Sequence, residues 1–70
     1  MFQTKTQTRA QAIALMAWRE AAELVSSRWQ TFRDAEAESR RWAFASYVAA
    51  LDAEEAAAAD VAVACLRTAA

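Results

Sequence analysis

The residues able to transfer a proton or attack a carbonyl are few in this chain, and they do not assemble into a recognisable catalytic set. Histidine is absent, which leaves carboxylates, one thiol at Cys65, the phenol of Tyr47 and a few hydroxyls as candidate acids, bases or nucleophiles. Glu54, Glu55 and Asp60 lie close together in sequence. Carboxylate metal sites in helical bundles add a Glu-x-x-His element, however, and this chain cannot supply one, so the cluster reads as a solvated acidic face. With no histidine and one cysteine, a structural zinc site has no ligand set and an internal disulfide has no partner. Cys65 stands among Val61, Ala62 and Leu66, an apolar setting in which a small core thiol is inert, so it is expected to be buried and dispensable. Glycine is also absent, which removes the phosphate-cradling loops of nucleotide and dinucleotide sites. The expectation is a protein with no enzymatic activity, no cofactor and no small-molecule substrate.

Any chemistry must therefore lie in surfaces, and those surfaces must be helical. Neither glycine nor proline interrupts the 70 residues, while alanine, the best helix former, occurs 21 times. The chain makes one domain at most, and at this length a monomeric core has little margin, so regular helix packing or self-association has to supply the rest. No uncharged apolar run is long enough for a membrane span. Residues 10–18 superficially resemble a signal-peptide core, but Arg19 and Glu20 end that run and the helical pattern continues through it. The lone free cysteine and the absence of an export signal point to the cytoplasm.

Along the chain, residues 1–7 form a polar, threonine-rich arm without apolar periodicity. Thr8 with Gln11 fits a capping box, and Thr4 with Gln7 offers the same pattern one turn earlier. From there Leu15, Trp18, Ala22, Val25, Trp29 and Phe32 recur at steps of three and four, which predicts a helix over 8–33 that packs along its length. The stretch 34–39 has no large apolar residue and contains two candidate N-caps, Asp34 and Ser39, so the chain is expected to turn there. A second helix is expected over 40–68, its inner face formed by Phe44, Tyr47, Val48, Leu51, Ala58, Ala62, Cys65 and Leu66. Asp52 with Glu55 also reads as a capping box, so a three-helix version with a break near Asp52 is the alternative. In the hairpin, Trp29 would meet Phe44, Val25 would meet Val48, Ala22 would meet Leu51, and Arg19 would reach Glu54 or Glu55. The outer strip Ala45, Ala49, Ala53, Ala56 and Ala57 would permit close approach of another helix.

The fold class is thus all-α: an antiparallel helical hairpin of two long helices, expected to complete a four-helix bundle by self-association or on a partner. The motive for association is a second apolar strip on the first helix. Ile13, Ala17, Ala21 and Leu24 lie beside the main seam, and one neighbouring helix cannot cover both. Trp42 falls away from the expected seam; it either folds over Phe32 or joins that partner interface. The function expected is a small protein–protein interaction module that acts by occupying a surface, with a homodimer and a protein partner as its associations. The alternative is a nucleic-acid-binding regulator that uses a basic and aromatic face containing Arg28, Arg33, Arg40 and Arg41. Net charge is −1, with the first 33 residues basic and the remainder acidic, a distribution that argues against a general nucleic-acid or membrane coat.

Overall fold

The computed structural model describes residues 8–69, with side chains described through residue 67. The arm expected over residues 1–7, and the alternative cap at Thr4 and Gln7, lie outside the described residues. Two helices, α1 (Arg9–Asp34) and α2 (Ala37–Ala69), pack against each other as a hairpin. Among the described residues there is no strand. α2 runs through Asp52 without a break, so the three-helix alternative does not form: Asp52 and Glu55 sit inside a run of alanines whose helix propensity exceeds what an internal cap would gain.

The start of α1 follows from its side chains. Thr8 Oγ1 accepts the N–H of Gln11 and Gln11 Oε1 accepts the N–H of Thr8, both at 3.1 Å, so two of the donors left unpaired by a helix start are satisfied reciprocally. The turn is tighter than the six residues expected, since only Ala35 and Glu36 separate the helices. Ala35 is extended (φ −72°, ψ 142°) and donates its N–H to the Phe32 carbonyl at 3.2 Å; Ser39 N–H donates to the Glu36 carbonyl at 2.9 Å. No described residue has positive φ, which explains how the chain reverses without glycine: it leaves the helix through an extended residue and not through a left-handed one. Arg40 closes the turn from the other side. Its guanidinium donates to the Ala35 carbonyl at 3.3 Å and lies over the Phe32 ring, 5.7 Å from the centroid.

The seam on α2 is not the one expected. Its fully buried residues are Ala43 and Ala50, 1% and 4% exposed. Ala57 and Ala64 continue the same row half-buried, with Tyr47, Glu54 and Val61 beside them. The row recurs every seven residues, the repeat that keeps one stripe facing a neighbour, and a methyl at each position lets the backbones come close. Phe44, Val48 and Leu51, expected at the centre, lie on the flank and are exposed. α1 supplies Ala14, Leu15, Ala21, Ala22, Val25 and Phe32 to the seam, all half-buried, while Trp18 and Trp29 remain over a third exposed. The physical reason is steric: the alanines bring the helices close, and an indole is too large to be enclosed between them.

The expected pairing register shifts with the seam. Trp29 packs on Tyr47 (ring centroids 5.2 Å apart) and Phe32 on Phe44 (5.5 Å), so Trp29 meets a residue three positions beyond the one anticipated. The shift carries the position opposite Arg19 past Glu54 and Glu55 to about Ala57. Trp29 with Phe32 (5.6 Å) and Phe44 with Tyr47 (6.4 Å) complete a four-ring cluster beside the turn, each pair contributing about 0.5–1.5 kcal/mol beyond its buried area.

Candidate interaction surface

The row Gln11, Trp18, Val25 and Phe32 marks the centre of the α1 face that meets α2, and at 100° per residue the side chains on either side of it fall on two flanks of the hairpin. One flank carries Leu15, Ala22 and Trp29 from α1 with Phe44, Val48 and Leu51 from α2; the ring contacts of Trp29 and Phe44 with Tyr47 fix which side this is. The other flank carries Ala10, Ala17 and Leu24, with Ile13 at its outer edge, against the side of α2 that holds Trp42, Ala49, Ala56 and Val63. At its open end this second flank forms a groove of about 880 Å³ lined by Ile13, Ala14 and Ala17 of α1 and by Asp60, Val63, Ala64 and Arg67 of α2.

Helical geometry therefore puts the interface residues expected from the sequence on one side of the molecule. Ile13, Ala17 and Leu24 are exposed there, Ile13 to 60%. Ala21 is half-buried, because it edges the seam and is partly covered by α2. Trp42 stands on the same flank at 73% exposure. It does not fold over Phe32, whose ring is covered by Trp29, Phe44 and the Arg40 guanidinium. What sequence reasoning missed is the opposite flank: Trp29, Phe44, Val48 and Leu51 were assigned to the interior, and they form a second apolar surface. The available signal was Ala43, Ala50, Ala57 and Ala64 at seven-residue spacing, which marks an alanine seam and displaces larger neighbours to its edges.

The four arginines considered for nucleic acid do not form one face. Arg28 is half-buried and continues the line of Ala17 and Leu24, whereas Arg33 lies one helical turn beyond Trp29 on the other flank. Arg40 is engaged by the turn, and Arg41 is exposed beside it. Cys65, expected in the core, is exposed. Ala64 occupies the seam position, and one residue later the helix has turned about 100° onto the flank.

Among the described residues no helix is long and apolar enough to cross a membrane, and no group of three or more carboxylates or thiols is placed to hold a metal ion. Compared with known proteins, the chain matches no family model, no curated protein and no solved structure.

Proposed function

We propose that this chain is a non-enzymatic protein–protein interaction module, an adaptor, assembly component or inhibitor that works by surface occupation and associates with itself. One observation carries the reading: among the described residues no side chain larger than alanine is fully buried, while eleven large apolar side chains are exposed, several of them on each flank of the hairpin. Clustered exposed apolar side chains favour burial against further surface, and two helices meeting through alanines give little burial to offset chain entropy. A four-helix bundle formed with further helices would cover those side chains. With two apolar flanks, one can serve self-association while the other, bearing Ile13, Ala17, Leu24 and Trp42 with Ala21 at its seam edge, meets a protein partner. A cytoplasmic site of action agrees with the free thiol.

The nucleic-acid reading gains no support from the arginines, since they divide between two flanks and Arg40 serves the turn. Light scattering across a concentration series, with helicity followed in parallel, tests the proposal. It predicts a mass above that of one chain at micromolar concentrations. A well-folded monomer throughout the series would remove its main support.

A further inference from the structure

We draw no further inference here: the strongest candidate, the apolar groove at the open end of the hairpin between Ile13, Ala14 and Ala17 of α1 and Asp60, Val63 and Ala64 of α2, is an unpartnered face, and nothing in the structure shows what covers it.

Discussion

The turn half and the open half of the hairpin are built from different materials. Beside the turn, four rings and the Arg40 guanidinium interlock, and Ala43 and Ala50, the fully buried residues among those described, lie in the same half. Toward the open end the seam narrows to Ala14, Leu15, Ala57, Val61 and Ala64, all half-buried, and the capping box at Thr8 fixes the helix start. The first half has side chains that specify a single register. The second is joined through smaller side chains, and it is therefore the part that would gain most from a partner helix.

Overpacking the specified half should have the largest effect. Ala50→Leu adds three carbons where the helices touch, and the backbones cannot separate without breaking the ring cluster, so a loss of about 3 kcal/mol and collapse of the hairpin in thermal melts are expected. Ala49→Leu, one position round on the exposed flank, should leave the melt within about 0.5 kcal/mol and serves as the control. Phe32→Ala removes the ring that touches Trp29, Phe44 and Arg40; because Phe32 is half-buried, the expected cost is about 2–3 kcal/mol, visible in urea unfolding followed by tryptophan fluorescence. Thr8→Ala should cost about 1 kcal/mol, and amide exchange should show it confined to the first turns of α1. If Thr8→Ala raised exchange equally at Ala43 and Ala50, the two halves would be one cooperative unit and the contrast would fail. Cys65→Ala should change stability least, by less than about 0.5 kcal/mol, since the thiol is exposed; a large loss would place it in a contact that the hairpin alone lacks.

The same contrast marks what was legible in the sequence. The absence of glycine and proline, the alanine content and the Thr8–Gln11 box are local signals, and the all-α hairpin follows from them. The place of the turn follows from the lapse of apolar periodicity between Arg33 and Arg41, though not its length, because an extended alanine and an arginine reaching back to a carbonyl are not caps that sequence rules recognise. The register and the seam face of α2 were not legible in the pattern of large residues. Hydrophobic periodicity weights side chains by size, so it followed Phe44, Val48 and Leu51, whereas close helix approach is governed by the smallest side chains, and the stripe at Ala43, Ala50, Ala57 and Ala64 decided the packing. For the same reason the pattern of large residues places the flank of Trp29 and Phe44 in the interior; of the strip Ile13, Ala17, Ala21 and Leu24, which it leaves uncovered, Ala21 is half-buried and the others are exposed.

The central claim is that the hairpin completes its core only by association, and thermal unfolding across a dilution series tests it most directly. Folding linked to association makes the midpoint depend on protein concentration. From about 100 μM to about 1 μM, circular dichroism should show the melting temperature falling by several degrees, with the open-end amides losing exchange protection before those of the ring cluster. A melting temperature independent of concentration, with a monomeric mass and a sharp cooperative transition at every dilution, would contradict the account.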